Sequence, residues 1–130
     1  MAGELNRKAL QGIAPEERID VNRWNIPDWL EREVIERDRC CVYCGVELVP
    51  TNETRRYRPS WEHIINDARI LTRENIARCC ISCNASKGTK ELADWLESKY
   101  CTTRGITAKS VAEVVKMALG CHMRVDDTGA

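Results

Sequence analysis

Apolar side chains recur at helical spacing in three stretches of the chain. Positions three and four apart lie on one face of a helix, so each stretch predicts an amphipathic helix that packs on a core. The predicted helices span Pro27 to about Arg37, about Lys90 to Tyr100, and Ser110 to Gly120, the last with capping-box spacing at its start. The apolar positions are Ile26, Trp29, Leu30 and Val34, then Leu92, Trp95, Leu96 and Tyr100, then Val111, Val114, Val115, Ala118 and Leu119.

Between these helices the apolar runs are shorter and richer in β-forming residues, which favours strands. A further short helix is predicted near Asn84–Lys87, ended by Gly88. The whole pattern predicts an α+β fold, a small and mainly helical domain. The predicted strands are Val46–Val49, Ser60–Ile65 and Asn75–Cys79, with loops at Pro50–Pro59 and Asn66–Glu74.

Length and composition predict one domain with a lean core. A chain of 130 residues buries roughly two-thirds of its unfolded surface. There is no Phe, so a bound metal would be a useful supplement. We expect residues 1–23 to form an arm, 24–104 the functional core, and 105–130 a helix and tail. No stretch approaches the about 18 apolar residues of a membrane span and no signal peptide is evident, so we expect an intracellular (cytoplasmic) protein.

Eight cysteines in a reducing compartment favour zinc over disulfides. Two Cys-x-x-Cys knuckles are present, Cys41 with Cys44 and Cys80 with Cys83. A set of four cysteines predicts a structural Zn²⁺, which leaves no open position for catalysis. Cys40 and Cys79 each precede a knuckle, so a shifted choice of ligands stays conceivable, although only the first four keep the two-residue spacing on both sides.

The net charge is zero, with 20 Lys+Arg and 20 Asp+Glu, which is unlike a general nucleic-acid coat protein. Between Glu53 and Lys90, however, eight cations stand against four anions. Such a patch is either a nucleic-acid contact or an ordinary solvated surface. The candidate contacts to a DNA backbone are Arg55, Arg56, Arg58 and Lys87, the last of which could equally be a solvated cation at a helix end.

Glu62 and His63 are adjacent in the segment WEHIIND, and Asn84 directly follows the second knuckle. Glu62 and Asn84 offer hard oxygen ligands that suit Mg²⁺ or Mn²⁺. His63 is a candidate general base at neutral pH, although an isolated histidine is more often a packing residue. Neighbouring side chains on a regular strand point to opposite faces. Both residues can therefore serve one phosphate only if the strand ends or twists there.

Together, WEHIIND, Asn75 and CISCNASKG behind CVYCG resemble the HNH endonucleases of the ββα-metal (His-Me finger) fold, in the branch framed by a Cys₄ zinc. The resemblance covers about Arg39 to Thr89. It implies that His63 is the general base and that Asn75 braces the loop and orients it. It also implies that Glu62 and Asn84 hold the catalytic metal. The chain departs from many relatives in having Glu62 where Asp is more frequent and residues 66–69 in place of a Pro and a Gly-Gly.

The predicted activity is metal-dependent hydrolysis of DNA that leaves 5′-phosphate and 3′-hydroxyl ends. A zinc-stabilised nucleic-acid-binding module without catalysis would use the same knuckles and cations. It would not explain the combination of Glu62, His63, Asn75 and Asn84. A thiol redox protein is disfavoured because neither knuckle lies in a βαβ pattern.

Overall fold

The computed structural model describes residues 25–120. The arm predicted at 1–23, and the part of the predicted tail that contains His122, lie outside the described residues. The described chain combines helices with a two-stranded antiparallel sheet, which confirms the α+β fold class. Its elements are α1 (Asp28–Arg37), a 3₁₀ turn (Arg55–Tyr57), β1 (Pro59–His63), β2 (Ile76–Cys80), α2 (Ile81–Lys87), α3 (Leu92–Leu96), α4 (Lys99–Arg104) and α5 (113–120).

The two strands and α2 form one continuous ββα unit. The strand β1 pairs with β2 so that His63 lies opposite Ile76 and Pro59 opposite Cys80. The chain passes from β2 into α2 without a loop, because Cys80 caps the helix by accepting a hydrogen bond from the Cys83 backbone N–H. The sheet thus places the end of β1, the start of β2 and the length of α2 close together.

Each face of the sheet packs on its own apolar cluster. On one face Trp61 and Ile76 pack with the buried side of α1, which supplies Leu30 and Val34. The other, larger cluster contains Ala77 of β2 and the fully buried Trp95 of α3. Apolar contact on both faces explains why a sheet of two strands is stable here, since an isolated hairpin is marginal in water.

The helix predicted at 27–37 is confirmed as α1, but two other predicted elements differ from the structure. Val46–Val49 is not a strand, and this part of the chain has only one isolated bridge, from Cys40 to Glu47. The helix predicted from Lys90 to Tyr100 is split into α3 and α4. The split occurs at Ser98, whose side chain accepts a hydrogen bond from the Cys101 N–H and so starts a new helix.

The predicted capping box at Ser110 is also wrong. The Ser110 hydroxyl accepts a hydrogen bond from the Thr107 N–H at 2.8 Å, within the preceding turn. Helix α5 begins at residue 113 instead. The Ala112 N–H donates to the Val42 carbonyl at 2.8 Å, so the start of α5 is attached to the first knuckle.

Across residues 25–120, no helix combines the length and the apolar character that crossing a membrane requires.

Candidate functional site

The four knuckle cysteines converge although 35 residues separate Cys44 from Cys80. The sulfurs of Cys41, Cys44, Cys80 and Cys83 all lie within 4.8 Å of one another. Zn–S bonds of about 2.3 Å in a tetrahedron put sulfurs about 3.8 Å apart, and Cys44 Sγ lies 3.8 Å from Cys80 Sγ. The cluster therefore fits a metal ion such as zinc.

Backbone N–H groups point at these sulfurs from both knuckles. The N–H groups of Tyr43 and Cys44 lie 3.4 Å from Cys41 Sγ, and the Cys83 N–H lies 3.4 Å from Cys80 Sγ. Such donors stabilise negative charge on sulfur. The thiols also hydrogen-bond to one another. Hydrogen bonds with the other three thiols hold the pKa of Cys44 well below its usual range.

The neighbouring cysteines do not join the cluster. Cys40 is exposed, whereas Cys79 is buried with its sulfur 3.7 Å from the Ser60 hydroxyl. Burial raises the pKa of the Cys79 thiol, so it is held as a neutral thiol. The shifted choice of ligands is therefore not the one that the fold brings together.

Glu62 lies in β1 and is buried, with 5% of its surface exposed. Its Oε2 accepts a hydrogen bond from the Tyr43 hydroxyl at 2.5 Å and lies 3.0 Å from Lys87 Nζ. Burial raises the pKa of Glu62, while Lys87 and the Tyr43 hydroxyl act in the opposite direction. No described residue hydrogen-bonds the other oxygen, Oε1, which leaves that oxygen as a potential ligand atom.

His63 is the last residue of β1. Glu62 and His63 are both paired with β2, Glu62 opposite Ala77 and His63 opposite Ile76, and the strand ends directly after His63. Burial lowers the pKa of His63, and the charge of Lys87 lowers it further, whereas Asp67 opposes the shift. The neutral imidazole, which can accept a proton, is therefore favoured at neutral pH.

Asn75 is buried at the base of the loop that connects the two strands. Its side-chain Oδ1 accepts from the Ile65 N–H at 2.7 Å, and its Nδ2 donates to the carbonyls of Ile65 and Ile70, both at 3.2 Å. Its own carbonyl accepts from the Ile64 N–H at 2.9 Å. Three of these hydrogen bonds hold Ile64 and Ile65, which directly follow His63, and the fourth holds Ile70 further along the loop.

Asn84 lies on α2, one turn before Lys87, and faces β1. Its Nδ2 donates to the Ser60 hydroxyl at 3.0 Å and to the Trp61 carbonyl at 2.9 Å. No described residue hydrogen-bonds its Oδ1. The amide is thus held by its nitrogen, and its oxygen is the atom that can bind a cation.

The four predicted DNA-contacting cations do not share one environment. Arg55 and Arg56 are exposed, whereas Arg58 is partly buried and donates to the Asn52 carbonyl at 2.7 Å. Lys87 is 1% exposed and its ammonium group is paired with Glu62. The prediction of Lys87 as a phosphate contact therefore does not fit this structure. Nor is it a solvated cation, because the buried carboxylate draws it into the interior.

The contacts of Glu62 were not predicted from the sequence. Tyr43 lies between two cysteines and Lys87 one turn after Asn84, but neither spacing indicates a partner in β1. The sequence contained one weak indication of the Lys87 contact. Lys87 lies three residues after Asn84, so on a helix the two side chains share a face and have the same neighbours.

The chain is similar to the CRISPR-associated endonuclease Cas9 of Corynebacterium diphtheriae, with 27% identity over 122 residues. The match covers 87% of this chain but 10% of that protein, so the chain spans about a tenth of the relative's length. No family model matches the chain, and no solved structure matches it. The segment of that relative to which this chain is similar is part of a protein named as an endonuclease.

Proposed function

We propose that this chain is a metal-dependent endonuclease that hydrolyses phosphodiester bonds in DNA, with His63 as the general base. The observation that carries the proposal is the ββα unit itself. In this unit His63 ends β1, Asn75 fixes the loop that follows, and α2 carries Asn84 directly after the cysteine cluster. The similarity to an endonuclease over most of this chain supports the same class of activity.

The residues that would hold a catalytic Mg²⁺ or Mn²⁺ are Glu62 and Asn84, whose oxygens suit hard cations. The donor set fits because Glu62 Oε1 and Asn84 Oδ1 accept no hydrogen bond from any described residue. Ligating carboxylates are themselves usually held by hydrogen bonds, as Oε2 is here. When bound, the metal would neutralise charge that grows on the scissile phosphate.

In this proposal the imidazole of His63 accepts a proton from a water molecule as the water oxygen attacks phosphorus. The bond to the 3′ oxygen breaks, and that oxygen takes a proton from solvent, which leaves a 5′-phosphate and a 3′-hydroxyl. The lowered pKa of His63 keeps the imidazole neutral and able to take the proton at pH 7. Asn75 holds the backbone after His63 and so limits its movement during the step.

Plasmid cleavage with Mg²⁺ or Mn²⁺ tests the proposal. We expect the wild-type protein to cut and His63→Ala to lose at least about 100-fold in rate, as general bases contribute, with zinc content unchanged. The chain has two histidines, so His122→Ala is a matched control that should cut normally. Equal cleavage by His63→Ala and wild type would overturn the assignment of the base.

One observation favours the non-catalytic alternative, a zinc-stabilised nucleic-acid-binding module. Lys87 already compensates the charge of Glu62, so the buried carboxylate has a partner without a divalent ion. Under this alternative, zinc-loaded wild-type protein would bind DNA and leave it uncut with every divalent ion tried. The same plasmid assay, combined with a binding measurement, therefore separates the two functions.

A further inference from the structure

We infer that Tyr43 is a positioning residue for Glu62 and couples the cysteine cluster to the candidate site of the catalytic metal. The inference rests on the proposed function, because it concerns how the ligand set of that site is oriented. Neither the spacing of the cysteines nor the Glu62–His63 pair assigns any role to this tyrosine.

Tyr43 takes part in both centres at once. It lies inside the first knuckle, and its backbone N–H lies 3.4 Å from Cys41 Sγ. Its hydroxyl lies 2.5 Å from Glu62 Oε2. The Tyr43 side chain therefore connects the first knuckle, which contributes two sulfurs to the cluster, to the Glu62 carboxylate in β1.

The ring of Tyr43 has little freedom to move. It is 1% exposed and packs edge-on against Trp95, with ring centroids 4.9 Å apart. Trp95 is itself fully buried, and its indole N–H donates to the Ser86 hydroxyl at 3.0 Å. A tightly packed aromatic ring holds its hydroxyl in place because interiors are as dense as organic crystals.

The hydroxyl and Lys87 Nζ together occupy one side of the Glu62 carboxylate. Both contact Oε2, so the carboxylate cannot rotate to present that oxygen without losing both partners. Oε1 is thereby fixed as the oxygen offered to a divalent ion. Losing an outer partner of a metal ligand typically weakens metal affinity about 10- to 100-fold.

The test is Tyr43→Phe, which removes only the hydroxyl. In zinc-loaded protein we expect the Kd for Mn²⁺, followed by the electron paramagnetic resonance of free Mn²⁺, to rise at least about ten-fold. Zinc should stay at one ion per chain. Cleavage should fall at limiting Mn²⁺ and recover at saturating Mn²⁺.

Tyr100→Phe is the matched control. Its hydroxyl also lies beside the cluster, 3.3 Å from Cys83 Sγ, but it pairs with Cys83 and Ser82 and not with Glu62. Its Mn²⁺ affinity should equal that of the wild type. A merely structural effect of losing a hydroxyl near the sulfurs would appear in both variants.

The outcomes separate the two proposals. If the wild type binds one Mn²⁺, Glu62→Gln abolishes binding and Tyr43→Phe leaves the Kd unchanged, the inference about Tyr43 is overturned while the proposed site survives. If the wild type binds no Mn²⁺ and cuts no DNA, both proposals fail.

A measurement on the wild-type sequence keeps the inference testable if Tyr43→Phe loses zinc. The chain has three tyrosines, so labelling with 3-fluorotyrosine gives three fluorine resonances, which Tyr57→Phe and Tyr100→Phe assign. Titration with Mg²⁺ should shift the Tyr43 resonance and leave that of Tyr57 unmoved. An unmoved Tyr43 resonance at saturating Mg²⁺ would overturn the inference.

Discussion

Lys87 illustrates how burial changes the role of a charged residue. In the sequence it is the cation at the end of a predicted short helix, a position typical of solvated lysines. In the fold its ammonium group lies 3.0 Å from the Glu62 carboxylate, and both side chains are almost fully buried. Each charge offsets the cost of removing the other from water.

Removing one member of this pair should destabilise the fold. We expect Lys87→Met to lower the free energy of unfolding by about 3 kcal/mol or more, since it leaves a buried carboxylate without its cation. Lys90→Met is the matched control. Lys90 is exposed, so the change should stay within about 0.5 kcal/mol. Urea unfolding of the zinc-loaded proteins measures both, and equal losses would contradict the assignment.

Asn75 should be critical for the loop between the strands. Asn75→Ala removes three side-chain hydrogen bonds and leaves the Ile65 N–H without its acceptor. We expect a loss of about 2 to 3 kcal/mol in urea unfolding. Asn66→Ala, at an exposed position, is the control and should be neutral. An Asn75→Ala variant as stable as Asn66→Ala would contradict this role of Asn75.

At the scale of elements, the 3₁₀ turn and α2 form one surface beside the cysteine cluster. The carbonyl of Arg58, which follows the turn, accepts from the Ile81 N–H at 3.0 Å. This contact holds the turn against the start of α2. Arg55 and Arg56 are exposed there, Arg56 with its guanidinium over the Tyr57 ring, so both charges are accessible to a phosphate backbone.

These two arginines should contribute to DNA affinity without reading sequence. In a His63→Ala background that keeps DNA intact, we expect Arg55→Ala with Arg56→Ala to weaken binding on all sequences. The slope of log affinity against log salt should fall by about 2, or about one per phosphate contact. Arg32→Ala, an exposed arginine on α1, is the control. Fluorescence anisotropy at several salt concentrations measures this slope. An unchanged slope in the double variant would exclude this surface as a DNA contact.

At the scale of the whole molecule, the cysteine cluster joins segments that are far apart in the chain. One knuckle precedes β1, the other starts α2, and the first also meets α5 through the Val42 carbonyl. A bound zinc would therefore close a long loop around the sheet. Zinc can supply on the order of 10 kcal/mol in small domains, which is comparable with the total stability of a domain.

Neighbouring cysteines give a sharp test of this arrangement. Cys41→Ser should lose zinc and cooperative unfolding, because its sulfur is one of the four that converge. Cys40→Ser should keep one zinc per chain, since Cys40 is exposed and outside the cluster. Zinc affinity should fall as pH is lowered, because metal binding must displace protons from the thiols. Mass spectrometry of the native proteins counts the zinc, and retention in Cys41→Ser would contradict the ligand set.

The fold was predictable where local sequence carries the information. The spacing of apolar residues located α1, and the β-rich segments located β1 and β2 to within two residues at either end. The helix predicted from 90 to 100 was wrong in one respect. Apolar periodicity continues through Ser98, whereas the side chain of that serine caps a new helix. Periodicity does not register a local hydrogen bond that ends one helix and starts the next.

Local sequence was enough to identify the chemical groups available to this protein: two knuckles that can share an ion, an adjacent carboxylate and imidazole, and asparagines at set distances along the chain. The partners of these groups follow from how distant segments pack in three dimensions. This packing placed Tyr43 and Lys87 on the same oxygen of Glu62 and removed Lys87 from the surface. Spacing along the chain sets which atoms a turn, strand or helix presents. The cost of burying a charge depends on contacts between distant segments, which no local pattern contains.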